Sequence, residues 1–383
     1  MLLRTYVHRL AQRLRRPYQT YNRVEVSRLA LLYNFDFFRK TTGMQVIPVL
    51  KANAYGHGLE QVATALKSRT FPYIAVDGYF EALKIQAISR QPVLVMGMIK
   101  PHNFSKMRVQ KCTFVVQDEA AIHALGKLDK KVKVHLEINT GMNRNGIPAQ
   151  ETQKFAELLR KYPRLQLEGV MTHLADSDGT SDKTVNEPVE LFDQCVDTIL
   201  ASGFKPTLFH IGQSAGSLRV KSRFANAVRI GLGLYGLNPF PAEHPQHNTC
   251  QDLKPAMQLI STISRINHLQ KGDKVSYNYT FTAPKAMRIG VLPLGYYEGV
   301  SRALSNAGVV KAGTRFQPIV GRVCMNHTMI SLEDDTKVGD EVVVYSSNPA
   351  DPNSIQSIAK KYGLFDYALL TGVSSTIRRY LVL

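Results

Sequence analysis

The sequence has no run of 18 or more apolar residues, so no segment is predicted to cross a membrane as a helix. Cysteine is also scarce, and the four cysteines form no CxxC pair: they are Cys112, Cys195, Cys250 and Cys324. This spacing argues against a disulfide framework and indicates free thiols in the cytoplasm. Zinc-finger and RNA-recognition signatures are missing, so neither a nucleic-acid function nor a metal site is predicted.

Acidic residues are few, because 30 Asp and Glu stand against 48 Lys and Arg, for a net charge of +18. Such an excess suits nucleic acid, an anionic membrane surface or small anionic ligands. Without nucleic-acid motifs, we interpret it as solubility combined with attraction for phosphate and carboxylate groups. At 383 residues, 44% of them hydrophobic, the chain is long enough for two domains with full cores.

The first 17 residues contain five arginines and no acid, and Leu3, Val7, Leu10 and Leu14 fall on one helical face. A presequence, a membrane-touching helix or a short surface helix packed on the body would each give this pattern. A secretory hydrophobic core and a cleavage site are both missing, which favours the surface helix. We treat residues 1–20 as a basic N-terminal extension.

Apolar, β-rich runs alternate with amphipathic stretches through the first 240 residues. The eight predicted strands are Val46–Lys51, Tyr73–Asp77, Val93–Gly97, Cys112–Gln117, Lys133–Asn139, Leu167–His173, Leu208–Gly212 and Val228–Gly236. The helical stretches include 59–66, 118–128, 150–162 and 188–201. Eightfold alternation predicts an α/β fold, a parallel (β/α)8 barrel of the TIM type over residues 21–245.

After Pro239 and Pro241, a polar linker leads into short β-branched runs separated by turn residues. The predicted strands are Gln258–Ile266, Met287–Leu292, Gln317–Val323, Met329–Leu332 and Glu341–Tyr345. They indicate a second, mainly β domain over residues 246–383.

The strongest motif is KANAYGHG, which begins with Lys51 at the end of the first predicted strand. Barrel active sites form at this end of the strands, and partial burial there favours an uncharged amine that can react with an aldehyde cofactor. A lone lysine in this place would be an ordinary surface residue. The eight-residue context, however, resembles the cofactor-lysine motif of alanine racemases, and the resemblance runs from about residue 20 to residue 380.

The resemblance implies a (β/α)8 barrel with a C-terminal β domain and pyridoxal phosphate held by Lys51, which is also the base for the D-enantiomer. It assigns the cofactor phosphate to Tyr55, Ser214, Ile230 and Gly231, in the loops where barrels bind phosphate. Taken alone, Ser214 would be a helix N-cap. Some relatives add a tyrosine near the C-terminus, where this sequence has Ser375.

Other barrel residues take roles around the cofactor by the same resemblance. Arg229, in VRIGLGLYG, would face the pyridine nitrogen and keep it unprotonated, and His173 would lie against the ring and bond to that arginine. Arg144 would contact the phenolic oxygen and the substrate carboxylate. Many relatives carry a carbamylated lysine where this chain has Glu137, so we expect the glutamate to supply that negative charge directly; the alternative is a solvated glutamate.

The opposing base is implied in the second domain. Tyr277, in VSYN, matches a VSYG-type motif and would serve the face of the α-carbon opposite Lys51. Inversion needs a base on each face or one that moves, and a tyrosine serves only where its phenolate is stabilised. Without the motif, Tyr277 would be a packing aromatic.

Two further motifs support the assignment. GYYEG resembles GYADG and places Tyr296 at the substrate channel, with Arg302, Arg322 and Asp178. GRVCMNH resembles a GR-x-CMDQ motif, in which Met325 contacts substrate through its backbone N–H and Asn326 and His327 replace Asp and Gln. In the family, the tyrosine and methionine reach the other subunit's site, which implies a homodimer with composite active sites.

The sequence therefore predicts a pyridoxal-phosphate-dependent amino-acid racemase, an isomerase that interconverts L- and D-alanine and supplies D-alanine for peptidoglycan. Alternatives on the same framework are a serine or broad-specificity racemase and a decarboxylase of basic amino acids. A non-catalytic pyridoxal-phosphate carrier would lack the β domain and Tyr277, and a basic binding protein is supported by charge alone.

Overall fold

A computed structural model describes residues 19–333 and 335–383. The basic extension predicted at the N-terminus therefore lies almost wholly outside the described residues. None of the helices in the described part is both long enough and apolar enough to cross a membrane.

Eight parallel strands form a barrel sheet in which each strand pairs with its neighbours in space. They are β2 (Gln45–Pro48), β3 (Ile74–Val76), β4 (Val93–Val95), β5 (Thr113–Val116), β6 (Val132–Asn139), β8 (Leu165–Met171), β9 (Leu208–His210) and β10 (Ala227–Ile230). The two-residue β7 (Ile147–Pro148) pairs beside β6. Val49 bridges to Ala75 and thereby connects the two ends of the sheet, so the predicted barrel is confirmed.

Helices lie between the barrel strands, as the parallel connections require. They are α1 (Arg28–Thr42), α2 (Leu59–Ala65), α3 (Tyr79–Ile88), α4 (Glu119–Gly126), α5 (Thr152–Arg160) and α6 (Lys183–Ala201). The α1 helix begins at an N-cap, Ser27, whose side chain accepts a hydrogen bond from the Ala30 N–H, and it ends at Gly43. All four predicted helical stretches are confirmed with slightly different ends.

A second sheet of six strands holds most of the C-terminal part. It contains β11 (Met257–Thr262), β16 (Val309–Ala312), β17 (Arg315–Pro318), β19 (Glu341–Tyr345) and β20 (Arg378–Val382), together with β1 (Arg23–Ser27) from the start of the described chain. The β1 strand pairs antiparallel with β11 and parallel with β20. The chain thus contributes to this sheet before it enters the barrel.

Two smaller sheets complete the C-terminal part. One contains β12 (Arg265–Leu269), β15 (Met287–Leu292) and β18 (Thr328–Leu332), and the other pairs β13 (Lys274–Val275) with β14 (Phe281–Thr282). Helices α7 (Ile355–Tyr362) and α8 (Asp366–Thr371) follow. This mainly β architecture agrees with the predicted fold class.

Two of the predicted strands in this part differ from the structure. The run predicted as one strand, Gln258–Ile266, divides between β11 and β12, because the chain turns at Ile263 and Ser264 to leave one sheet for another. The run Gln317–Val323 remains a strand only to Pro318. Beyond it, Ile319 makes a single bridge and the chain continues as a loop.

The end of the chain returns to the barrel mouth. The guanidinium of Arg379, in β20, donates from Nε to the Gly56 carbonyl at 3.0 Å and also donates to the Val373, Ser374 and Ile377 carbonyls. This contact links the last strand to the loop that follows the first barrel strand.

Candidate active site

The segment that follows the first barrel strand forms a left-handed turn, a conformation that L-residues disfavour. After Lys51, residues Ala52, Asn53, Ala54 and Tyr55 have φ angles of 54°, 55°, 53° and 51°. A left-handed turn of this kind costs about 1–2 kcal/mol per non-glycine residue. Strain of this size is retained where the surroundings hold it and where function requires it, so this segment is a candidate for chemistry.

Hydrogen bonds hold the turn in place from several sides. The Leu59 N–H donates to Asn53 Oδ1 at 2.9 Å, and the Asn53 N–H donates to Glu81 Oε1 at 3.4 Å. The second oxygen of Glu81 accepts from the N–H groups of Asp77 and Gly78 at 3.0 and 3.3 Å. The strained turn is thereby tied to the loop after the second barrel strand, which fixes the backbone beside Lys51.

Lys51 lies in a cavity of about 280 Å³ at the C-terminal mouth of the barrel. The cavity gathers most of the barrel residues predicted for the site: Lys51, Tyr55, Glu137, Arg144, His173, Ser214, Arg229 and Gly231. Ile230 is fully buried in β10 and does not line it. The carboxyl ends of parallel barrel strands are where such sites form, and this cavity contains one amine and two guanidinium groups.

Hydroxyl groups gather at one end of the cavity. Ser214 Oγ accepts from the Gly233 N–H at 3.0 Å, so its own hydrogen is available to donate, and it links the loops after β9 and β10 rather than capping a helix. A Cβ at Gly231 would lie 2.5 Å from the Tyr55 hydroxyl, so only glycine leaves room for that group. Among the described residues the Tyr55 hydroxyl has no hydrogen-bond partner, and burial raises its pKa to about 12, which keeps it a donor.

These groups fit pyridoxal phosphate. A phosphate dianion needs donors, and the Ser214 and Tyr55 hydroxyls are donors without an acceptor in the protein. An aldehyde needs an amine, which Lys51 supplies in the same cavity. No group of three side chains suited to a metal ion occurs in the described part of the chain.

Arg229 is buried and fixed by acceptors. Its Nη2 donates to the Thr172 carbonyl at 2.7 Å and lies 3.3 Å from His173 Nδ1, and its Nη1 donates to the His210 carbonyl at 2.7 Å. Burial lowers the pKa of Arg229 to about 10, so it remains charged at neutral pH. Burial and then the charges of Arg229, Arg144 and Lys51 lower the pKa of His173 to about 3, so that histidine is neutral.

Glu137 and Arg144 both line the cavity, but no salt bridge joins them among the described residues. Glu137, at 6% exposure, is buried in β6, whereas Arg144 is exposed on the loop that follows. Burial raises the pKa of Glu137, and the positive charges of Arg229 and Arg144 oppose that shift. Glu137 therefore faces two cations through space, and their charges favour its ionised form against the larger, opposite effect of burial.

Tyr277 does not line this cavity. It lies on the turn between β13 and β14 and is 70% exposed. The turn places Asn278 at a φ of 59°, a conformation that asparagine tolerates better than most residues. Asparagine in place of the family glycine is therefore compatible with the same turn.

The second-domain motifs lie together on one face. Ser276 Oγ donates to the Arg322 carbonyl at 2.8 Å, and the Tyr296 and Tyr297 N–H groups donate to the Cys324 and Met325 carbonyls, both at 3.0 Å. We call Tyr277, Tyr296 and Met325 the exposed half-site, because their exposures are 70%, 46% and 55%. Arg302 is exposed beside them, whereas Asp178 lines a different, larger cavity next to the Lys51 mouth.

Two residues that differ from the family motifs, Asn326 and Glu298, are hydrogen-bonded to each other. Asn326 Nδ2 donates to Glu298 Oε1 at 2.7 Å, while Glu298 Oε2 accepts from the Gly295 N–H at 2.8 Å. One carboxylate and one amide thus connect the loop that carries Tyr296 to the loop that carries Met325.

Tyr367 lines the cavity and was not predicted from the sequence. It is the only lining residue after position 232, and its ring centroid is 5.9 Å from that of Tyr55. Its hydroxyl has no hydrogen-bond partner in the described chain, and burial raises its pKa above the usual value. It belongs to α8, a helix that was not predicted, and no motif in the sequence indicated that this tyrosine would reach the cavity. Ser375 is exposed and does not line the cavity.

Comparisons with known proteins agree with this geometry. Residues 26–239 match the family model "Alanine racemase, N-terminal domain", and residues 256–381 match "Alanine racemase, C-terminal domain". The alanine racemase of Staphylococcus carnosus is 33% identical over 97% of this chain and 96% of its own. Alanine racemase 2 of Caldanaerobacter subterraneus is 32% identical over 93% and 94%.

Solved structures match over nearly the whole chain as well. The alanine racemase of Bacillus anthracis with bound L-Ala-P has a TM-score of 0.86 at 28% identity and covers 96% of both chains. That of Clostridium difficile has a TM-score of 0.87 at 27% identity, over 95% of this chain and 96% of its own.

Proposed function

The chain belongs to the alanine racemase family, as an isomerase that interconverts L- and D-alanine with pyridoxal phosphate, and from this premise we propose that Lys51 and Tyr277 are its two bases. The observation that carries the proposal is the cavity at the barrel mouth, which gathers an amine, phosphate-type donors and two arginines around one space. The family's general role is the supply of D-alanine for peptidoglycan.

Two proton carriers on opposite faces of the α-carbon suffice for inversion. The Lys51 amine takes or returns the proton on one face, and the Tyr277 phenol does so on the other. Pyridoxal phosphate, when bound, withdraws electrons from the α-carbon and so makes its proton easier to remove. Lys51, Tyr55, Ser214 and Gly231 are the residues that would hold the cofactor.

The buried charges direct this chemistry. Arg229 keeps its proton because of its pKa of about 10, so it would leave the cofactor nitrogen unprotonated and disfavour side reactions. Arg144 would bind the carboxylate of the substrate, and Glu137 would orient it by charge. His173, neutral and 3.3 Å from Arg229, would pack against the ring rather than act as a base.

We propose that two copies of the chain form a homodimer with composite sites. The lining of the Lys51 cavity includes no residue of the exposed half-site. The large side chains on that face, with Tyr279 at 66% and Tyr297 at 56% exposure, form an apolar surface of the kind that marks an interface. A second copy would cover this face and bring its own Tyr277 to the Lys51 mouth, with Tyr296, Met325, Arg302, Arg322 and Asp178 along the substrate channel.

Tyr367 would supply a phosphate contact that Ser375 does not supply. Its ring lies beside that of Tyr55, and both hydroxyls are free to donate. Tyr367→Phe should therefore raise the dissociation constant of pyridoxal phosphate by at least about tenfold, because one hydrogen bond to a charged group is lost. Titration of cofactor into apo-protein measures this, with exposed Tyr380→Phe as the control, and an unchanged constant in both variants would remove Tyr367 from the phosphate site.

We further propose a cytoplasmic location and two functional units. Four free cysteines, three of them buried, fit a reducing compartment. Residues 21–245 would bind the cofactor and residues 246–383 would present the exposed half-site, with the strand Arg23–Ser27 completing the second unit's sheet.

Substrate breadth is tested by a panel of L-amino acids that includes serine, arginine and lysine. The expected result is rapid racemisation of alanine and turnover of serine reduced at least about tenfold, because an extra group must fit the same small cavity. Comparable rates for alanine and serine would support a broad-specificity racemase instead. Release of carbon dioxide from lysine or arginine would support a decarboxylase.

A further inference from the structure

The interior of the barrel contains polar side chains where barrels are ordinarily filled by branched apolar residues. We call this row, from Arg229 through His210 and His135 to Glu168, the column. His210 and His135 are both fully buried, and the nearest atoms of their rings, His210 Nε2 and His135 Nδ1, are 2.7 Å apart. His210 adjoins Arg229 at the cofactor mouth, and His135 adjoins Glu168 toward the opposite mouth. Buried polar groups of this kind cost folding free energy unless their hydrogen bonds are satisfied.

The donor and acceptor roles in this column follow from its upper end. A guanidinium has only donors, and Arg229 Nη1 lies 3.0 Å from His210 Nδ1, so that nitrogen must accept. The proton of neutral His210 is therefore on Nε2, which donates to His135 Nδ1. His135 in turn must carry its proton on Nε2. Burial lowers the pKa of His135 to about 3 and that of His210 well below its usual value, in agreement with two neutral rings.

The lower end of the column is acidic. His135 Nε2 has no hydrogen-bond partner in the described chain, and its nearest charged neighbour is Glu168 Oε2 at 3.8 Å. Glu168 is held by the amine of Lys133 at 2.6 Å and by the hydroxyl of Tyr73. Tyr73 immediately precedes β3 and Lys133 is near the start of β6, so this end lies at the N-terminal mouth.

The backbone is shaped to admit the column. A Cβ at Gly169 would lie 2.7 Å from the His135 ring, so glycine is required there for the ring to fit. The β6–β8 register also shifts between Val134 and His135, directly beside this place.

We propose that His135 is a positioning residue for the racemase: by accepting a hydrogen bond from His210 Nε2, it stabilises the tautomer that Arg229 requires, in which His210 Nδ1 accepts from the guanidinium and helps to hold it at the cofactor. The one-way chain of bonds therefore runs from the reaction site to His135, whose Nε2 lies 3.8 Å from Glu168 Oε2 toward the far mouth of the barrel. The role of Arg229 at the cofactor rests on the proposed function, whereas the direction of the bonds does not.

Nitrogen-15 NMR of the imidazole rings in the holoenzyme tests the direction of the chain without any substitution. The expected spectrum shows His210 and His135 neutral, each protonated on Nε2, at pH 7. A proton on Nδ1 of either ring, or a doubly protonated ring, would overturn the proposal even if the enzyme racemises alanine by the proposed two bases.

Two substitutions test the consequence. His135→Phe removes the acceptor, so His210 should lose its single tautomer and kcat should fall by about tenfold to a hundredfold, the range for groups that orient another residue, with KM for alanine little changed. His135→Gln retains an acceptor oxygen and should restore most of kcat and the His210 signal. The control is His123→Phe, a histidine outside the barrel that bonds to Tyr162, which should change neither.

A His135→Phe enzyme with the wild-type kcat and an unchanged His210 tautomer would contradict the proposal. If this variant does not fold, the wild-type spectrum and the His135→Gln variant still test the role of His135. A His135→Gln enzyme with its His210 proton moved to Nδ1 would count equally against it.

Discussion

The barrel mouth and the exposed half-site differ in how completely each is built within one chain. At the mouth, Arg229 is fixed by four carbonyl or imidazole acceptors and the Lys51 turn is held by Glu81 and Asn53. On the second domain, the backbones of the motifs are joined by hydrogen bonds, yet Tyr277 is 70% exposed. A single chain thus forms the whole cavity around Lys51, whereas the exposed half-site is an ordered but open surface.

This difference assigns different tasks to the two regions. Preorganised, buried charge at the mouth can bind a cofactor and control its protonation in a single chain. Tyr277 is exposed and lies outside the Lys51 cavity of its own chain, so it needs a second copy to reach such a cavity. In the proposed homodimer, the two regions act together because a second copy brings them to one site.

The largest effect is expected when the barrel mouth loses its amine. Lys51→Ala should lower kcat for alanine by at least about a thousandfold, since it removes both the attachment point of the cofactor and one base. The measurement is circular dichroism of L-alanine conversion, with Lys67→Ala, an exposed helix residue, as the control. Retention of more than a tenth of the activity would show that Lys51 is not the base.

The exposed half-site offers a closely matched pair of tyrosines. Tyr277→Phe should lower kcat about a hundredfold or more, because one face of the α-carbon loses its proton carrier. Tyr279→Phe removes a hydroxyl two residues away with a similar exposure of 66%, and should leave kcat within about twofold. Equal losses in both variants would make the effect structural, and no loss in either would exclude Tyr277 as a base.

Low pH should destabilise the barrel more than the second domain. Burial lowers the pKa of His57 to about 4 and that of His135 to about 3, so protons favour the unfolded state as pH falls below about 6.5. Each such group should remove about 1.4 kcal/mol per pH unit from the free energy of unfolding between pH 6 and about pH 4. In the second domain, His268 and His327 are exposed and His247 is half-buried, so this effect should be largely confined to the barrel.

Hydrogen exchange at pH 7 and pH 5, corrected for intrinsic exchange rates, measures this difference. The barrel strands β6 and β9 should lose protection, while β15 and β18 should retain theirs. Equal loss in both sets would show that the buried histidines do not set the acid limit.

The smallest effect concerns the charge of Glu137. Glu137→Gln should lower kcat/KM about fivefold, or ~1 kcal/mol, because Arg144 loses a charge that orients it through space. The unmodified enzyme should have the same rate in bicarbonate-free buffer and in buffer with added bicarbonate, because a carboxylate already supplies the anion. Full activity in Glu137→Gln would contradict the role of Glu137, as would a bicarbonate requirement in the unmodified enzyme.

Much of the fold was predictable because the barrel repeats a simple pattern. Eight apolar runs separated by helical stretches specify parallel strands, and all eight strands were found, although the eighth, predicted to extend to Gly236, ends at Ile230. The strand Arg23–Ser27 was missed because its partners lie more than 200 residues away, and no local pattern reports such a pairing. The same holds for β20, whose partner β1 is likewise distant in sequence. The β16 strand was missed as well, although it forms a hairpin with its neighbour β17.

The motifs predicted most of the barrel residues that line the Lys51 cavity, but not how those residues are supported. The left-handed turn after Lys51 uses alanine and asparagine rather than glycine, so its backbone could not be predicted from residue type. Tyr367 and the column from Arg229 to Glu168 depend on which side chains meet inside the fold. Periodicity predicts that a strand residue faces inward, but it does not reveal which residue it meets there.

Hybrid dimers test the proposed composite active site most directly. Lys51→Ala chains and Tyr277→Phe chains, each inactive alone, would be co-expressed with different tags and purified as a mixture. If each site combines Lys51 of one copy with Tyr277 of the other, half of the dimers are hybrids with one intact site, and the mixture should regain about a quarter of the wild-type activity. A mixture that contains hybrids but remains as inactive as either parent would contradict the composite site.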